Sequence, residues 1–199
     1  MVRTADAETR RMQVADALLR VVARDGLAGA KLVNVADEAG VSVGLVQSYF
    51  RSKTDLLRFA VEALLDRTER RVDDVRSVRP LREALRQLAE LLLPLDDDRR
   101  DEAAVWLAFL PVTLTDPEMA AMHRAAIDRQ LAGVDRAFAA SRTLGELTRK
   151  VDPALEAMAL TAFLDGLSNY MVTMPHVFDA ESARRMLRTY LDRIFEGDE

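Results

Sequence analysis

The 199 residues are 49% hydrophobic and 31% charged, with 28 Lys+Arg against 33 Asp+Glu and a net charge of −5. This is the balance of a globular chain long enough for one large domain or two small ones. There is no cysteine, which excludes a disulfide scaffold and thiolate chemistry. The charged opening "MVRTADAETRRMQ" has no apolar signal segment, and the longest apolar run, residues 103–112, is about half a membrane span. The expectation is a cytoplasmic protein with no membrane partner.

Glycine (8), proline (6) and aromatic residues (6%) are sparse, and no alternating β-branched run is present. The composition therefore points to an all-α fold of about nine helices. The first spans residues 7–25, with Met12, Ala15, Leu19 and Val22 in one apolar row and Gly26 just beyond its end. Short helices follow over 33–39 and 43–49, divided by Gly40, with Ser42 as N-cap of the second. "SKTD" at 52–55 is a capping box that starts a long helix, 52–78, ended by Pro80. Further helices are expected over 81–93, 101–114, 117–140, 153–173 and 180–195. "DDDRRDE", 96–102, reads as a solvated turn, and 141–152 as a polar connection.

Residues 33–49 raise the question of function. A plain core helix would avoid both Gly40 and Gly44. Gly40 permits a tight left-handed corner, Ala36 permits close crossing, and Val41, Val46 and Phe50 form an apolar wedge beneath. This is helix-turn-helix geometry. It would present Ser42, Val43, Gly44, Gln47 and Ser48 outward, with Gly44 open to close approach by a base edge or phosphate. Lys53, at the start of the next helix, adds its charge to the helix dipole and suits a phosphate. The other reading is a purely structural corner in a bundle. Residues 1–55 carry 8 Lys+Arg and 7 Asp+Glu, so the first quarter is less acidic than the rest.

The stretch "VADEAGVSVGLVQSYFRSKTDLL" resembles the DNA-binding signature of TetR-family transcriptional regulators. Val35-Ala36, Ala39-Gly40-Val41-Ser42, Gly44, Tyr49-Phe50, Lys53 and Leu56-Leu57 match it. The motif covers about residues 10–57. "WLAF" and "FLDGL" are more loosely similar to the choline/betaine-type regulators of that family. The resemblance implies a DNA-binding domain over 1–52 and a helical ligand-binding and dimerisation domain over 53–199. It also implies a homodimeric repressor on an inverted-repeat double-stranded DNA operator, released by a small-molecule effector. Lys31, Asn34 and Tyr49 then join the DNA-contacting set. The sequence departs from the pattern at Gln47, where an aromatic is usual, at Lys31, often Thr, and at Val33, often basic. Gln47 suits adenine through its amide, and Lys31 suits a phosphate.

The C-terminal half fits this independently. Helix 153–173 is apolar nearly all round, which asks for a core on one side and a partner on the other; the other reading is a single internal core helix. The expected dimer interface is Leu160, Leu164 and Leu167 with Ala183, Leu187, Tyr190 and Ile194 of the last helix. An apolar ligand cavity is expected beside Trp106, Phe109, Leu110, His123, Ile127, Phe163 and Tyr170, although packing is the commoner role for each alone. Asp165, inside an apolar helix, needs a partner: an arginine, the preferred reading, or a cationic ligand. Two histidines (His123 and His176), no Gly-rich phosphate loop and no metal-ligand cluster leave no catalytic, metal or cofactor site to expect. A helical adaptor that binds protein through the corner is the remaining alternative.

Overall fold

The computed structural model describes residues 2–75, 80–147 and 152–195. Among these the fold is all-α, as expected from composition. The helices are α1 (Val2–Gly29), α2 (Leu32–Ala39), α3 (Val43–Tyr49), α4 (Lys53–Val75), α5 (Leu81–Leu92), α6 (Asp97–Phe109), a 3-10 turn (Leu110–Leu114), α7 (Pro117–Thr143), α8 (Pro153–Thr173) and α9 (Ala180–Phe195). Gly26 breaks α1 near its end with φ 67°. The expected tail of the fourth helix, 76–78, and part of the polar connection, 148–151, lie outside the described residues.

Two compact units are present. One comprises the chain up to Arg67 together with Arg100–Ala120. The other comprises Thr68–Arg99 and the chain from Ala121 onward. The division expected at residue 52 follows the motif and is a different cut. By packing, the first unit also takes in much of α4, where Leu56, Leu57, Ala60, Val61 and Leu64 are buried.

In the first unit α1 packs on α2. Val14, Ala15, Leu18, Val21 and Val22 are buried from α1, and Val35, Ala36 and Ala39 from α2. Polar ties set the angles. Gln13 donates to the Ala39 carbonyl at 2.8 Å, Arg67 of α4 pairs with Asp16 of α1, and Arg58 bonds Glu118. The Arg11 guanidinium lies 4.5 Å from the Phe59 ring centre and 5.3 Å from that of Phe50, and those two rings are 5.5 Å apart. One cation thus joins α1, the C-cap of α3 and α4.

In the second unit α5, α7, α8 and α9 share one core that includes Leu85, Leu93, Phe138, Leu160, Leu164, Leu187 and Leu191. Phe138 stacks on Phe195 at 6.4 Å. Helix α5 starts after Pro80, which supplies no side-chain cap. Glu146 fills that role from the α7–α8 connection, accepting from the Leu81 N–H at 3.0 Å.

Two expectations need correction. Residues 96–102 are not a turn. Asp96 accepts from the Arg99 N–H at 2.8 Å, and Asp97 and Asp98 occupy the first turn of α6, where the helix dipole favours negative charge. The single helix expected over 101–114 ends at Phe109. Pro111 cannot donate to a continuing helix, so the chain tightens into the 3-10 turn.

A third correction concerns the proposed dimer face. Leu160, Leu164, Leu167, Ala183, Leu187 and Ile194 lie inside the chain's own core, at most 6% exposed, and Tyr190 is half-buried against it. The face that α8 leaves open instead carries Leu155, Met158 and Tyr170, each at least half exposed. On a helix apolar all round, periodicity does not say which stripe meets the inner core.

Candidate nucleic-acid interface

The corner is built from three local signals. Gly40 closes α2 with φ 66°, a left-handed conformation that costs glycine nothing, and its N–H reaches the Ala36 and Asp37 carbonyls. Ser42 then caps α3, its hydroxyl accepting from the Leu45 N–H at 3.2 Å. Val46 and Phe50 are buried beneath, while Gly44, Gln47 and Ser48 are exposed and Val43 and Tyr49 half-buried.

Helix α4 begins at the expected capping box. Ser52 accepts from the Asp55 N–H at 3.0 Å, and Asp55 accepts from the Arg51 N–H at 3.1 Å. The return bond thus reaches one residue before the cap. That backbone bond, helped by Arg58, holds the Asp55 carboxyl below its ordinary range.

Gly44 has helical backbone, and a Cβ built on it would meet only the Ser42 hydroxyl, 4.0 Å away. Among the described residues nothing crowds this position. Gly44 stands in the first turn of α3, where the missing side chain leaves open space on the exposed side of the helix. Gln47 has no hydrogen-bond partner among the described residues. The Ser48 hydroxyl donates to the Leu45 carbonyl at 2.7 Å and keeps its lone pairs outward.

Two lysines flank the corner in sequence. Lys31 is exposed at the start of α2. Lys53 is exposed at the start of α4, with its ammonium donating to the Leu27 carbonyl at 2.7 Å. Asn34 turns its amide inward to the Gly29 carbonyl at 2.8 Å, which braces the α1–α2 turn. Behind the face, Glu38 accepts from Arg20 at 2.7 Å and Arg24 at 2.9 Å. These bonds, Arg20's first, lower the Glu38 carboxyl and keep it ionised against the two guanidinium charges. This brace links positions eighteen and fourteen residues apart, and no local motif announced it.

The residues expected around a ligand fall in both compact units. In the first, Phe109 is fully buried with its ring 5.3 Å from that of Trp106, and Leu110 is half-buried. In the second, His123, Ile127 and Phe163 are half-buried and Tyr170 is exposed; Phe163 stacks on Tyr190 at 4.8 Å and Tyr170 on Phe178 at 4.9 Å. Asp165 has no arginine partner among the described residues, contrary to the preferred expectation. It reaches solvent, but crowding by protein raises its carboxyl, and the charge of His123 partly offsets this. No group of three or more metal-ligating side chains occurs among the described residues.

A short capped helix, held outward on a glycine corner with cations at its rim, defines a helix-turn-helix DNA-binding protein. Comparison with known proteins then makes the class specific. Residues 14–59 match the bacterial regulatory proteins of the tetR family, and residues 80–196 match the BetI-type transcriptional repressor C-terminal domain. The chain is 30% identical to the HTH-type transcriptional regulator PksA of Bacillus subtilis, over 100% of this chain and 96% of that one. It is 29% identical to the regulator BetI of Stenotrophomonas maltophilia, over 92% and 91%. Among solved structures, a transcriptional regulator from Rhodococcus sp. superposes with a TM-score of 0.84 at 29% identity, covering 94% of this chain and 96% of that one. A regulator from Saccharomonospora viridis, in complex with choline, superposes with a TM-score of 0.87 at 25% identity, covering 93% and 96%. The chain belongs to the TetR family of bacterial transcriptional regulators, with a C-terminal domain of the BetI type. That family consists of regulators rather than enzymes.

Proposed function

We propose that the protein is a homodimeric repressor that holds an inverted-repeat operator and releases it when a small molecule binds the C-terminal half. The observation that carries the DNA side is the outer face of α3, where Gly44 leaves space that the fold itself does not use. The proposed contacts are Ser42, Val43, Gly44, Gln47, Ser48 and Tyr49, with Lys31, Asn34 and Lys53 at the rim. Lys53 would exchange the Leu27 carbonyl for a phosphate, and Asn34 would act chiefly through the turn it braces. In this reading residues 1–52 act on DNA, in the cytoplasm, and 53–199 carry dimerisation and the effector.

The dimer proposal moves to the outer side of α8 and the corner that follows. Leu155, Met158 and Tyr170, with Met174, Val177 and Met186, are large apolar side chains left exposed by the single chain. Exposed apolar side chains of this size suit a two-fold interface between copies. For the effector, the choline-bound relative supports a small cationic molecule. Asp165, a carboxylate with no arginine partner among the described residues, supports the same chemistry in this chain.

The test is to capture and sequence genomic duplexes with the purified protein, footprint them, and titrate choline onto the complex. A protected palindrome released by choline is the expected result. Lys53→Ala should weaken binding to all sequences and reduce the slope of log affinity against log salt by roughly one. Protection without two-fold symmetry would overturn the dimeric docking, and a complex indifferent to choline would overturn the cationic effector.

A further inference from the structure

The chemistry of the reading face also bears on which bases it selects. Helix α3, Val43–Tyr49, contains no charged residue. Its exposed groups are the bare backbone at Gly44, the Gln47 amide, which has no hydrogen-bond partner among the described residues, and the Ser48 hydroxyl, with the half-buried Val43 at its first turn. The first turn of α2 adds Val33, 50% exposed and the one large apolar side chain left exposed among the described side chains up to Arg67. The cations, Lys31, Arg51 and Lys53, stand before α2 or after α3, where the duplex backbone would run.

In the major groove guanine is read through O6 and N7 by the fork of arginine or by lysine, adenine through N6 and N7 by the amide of glutamine or asparagine, and thymine through its C5-methyl by apolar side chains. Helix α3 itself, with one amide unpaired among the described residues and with Val43, carries no reader of the first kind, and Val33 of α2 adds a second apolar side chain. We infer that each operator half-site presents A·T pairs to α3 and the first turn of α2, with adenine on Gln47 and thymine methyls against Val43 and Val33. The rim cations hold phosphates and add affinity without choosing bases. The inference rests on α3 being the DNA-facing helix.

The test uses the full-length protein and a random duplex pool, followed by atom-level changes in the selected DNA. The selected half-sites should be A·T at the contacted steps. Replacing thymine by uracil deletes only the C5-methyl and should weaken binding about fourfold per contacted methyl, the weight of one buried methyl group. Val33→Ser and Val43→Ser should each abolish the uracil effect at one position and leave it at the other. Gln47→Ala should reduce the preference for adenine roughly 5- to 150-fold at one pair per half-site. Val33 is exposed, and the uracil measurement needs no variant, so the test does not depend on a damaged fold. A contacted G·C pair sensitive to 7-deazaguanine, or affinity unchanged by uracil throughout, would overturn the inference while leaving the protein a sequence-specific DNA binder. Absence of any sequence preference would overturn the DNA-facing role of α3 as well.

Discussion

Helices α3 and α8 are both rich in apolar residues, and they show where sequence determines a surface and where it does not. α3 has seven residues, one of them fully buried, Val46. Its orientation follows from Ser42 at one end, Phe50 at the other and Gly40 before it, all within reach of local hydrogen bonds or one packing contact. α8 has twenty-one residues and almost no polar stripe. Its core side, Ala157, Leu160, Leu164, Leu167 and Met171, and its outer side, Leu155, Met158 and Tyr170, are chemically alike. Polarity contrast fixes which way a helix faces. Hydrophobic content alone fixes only that it must be covered.

The sharpest way to break this comparison is to place the same charge on the two sides of the α8–α9 pair. Leu187 is 0% exposed within the single chain. Leu187→Glu should cost roughly 4 kcal/mol or more, enough to unfold or precipitate the protein rather than yield a folded monomer. Circular dichroism and thermal melting read this directly. A folded, soluble Leu187→Glu chain would show that the core assignment is wrong.

The second effect is smaller in folding and larger in assembly. Met158 is 53% exposed on α8. Met158→Glu should keep its helical spectrum and sediment as a monomer of 22.2 kDa. Operator affinity should fall with it, since the two heads would no longer bind as one unit. A Met158→Glu protein that remains dimeric would place the interface elsewhere.

The same contrast explains what was legible beforehand. The capping box at Ser52–Asp55, the Ser42 cap and the Gly40 corner were readable because each is a bond between residues within five positions. At Asp96–Asp98 two effects compete: clustered acids repel one another, but at a helix start they are stabilised by unpaired N–H groups, and the second effect wins. Glu146 on Leu81, Glu38 between Arg20 and Arg24, and Arg11 between Phe50 and Phe59 were invisible. Each joins segments that only the folded chain brings together, and no spacing rule singles out one arginine among many.

A cap tests the local side of the comparison. Ser52→Ala removes the acceptor for the Asp55 N–H and should cost about 1 kcal/mol. Because α4 carries Lys53 at its first position, fraying there should also lower DNA affinity. Ser52→Asp should restore both quantities. Loss of stability with unchanged DNA binding would separate the cap from the reading head.

The smallest effect concerns acid. Glu83 in the first turn of α5 accepts from Arg86 at 2.5 and 2.8 Å and from Gln87 at 2.7 Å. The Arg86 bonds, then that of Gln87, lower its carboxyl from the ordinary 4.5 to about 2. A carboxyl depressed in the folded state contributes stability above its unfolded value, and loses it as pH falls through the folded one. The contribution should therefore be whole at pH 7, fade below about pH 4.5 and vanish near pH 2. Its size is limited, because Glu83 is 36% exposed and its partners lie on the same helix; such pairs contribute about 0.3–0.5 kcal/mol. Glu83→Gln should thus lower the melting temperature by roughly 1 °C at pH 7, and the gap to the parent should close on acidification. A gap that stayed constant down to pH 2.5 would mean that Glu83 acts through packing and not through its charge, and α5 would then depend on the distant cap from Glu146 more than on its own side chains.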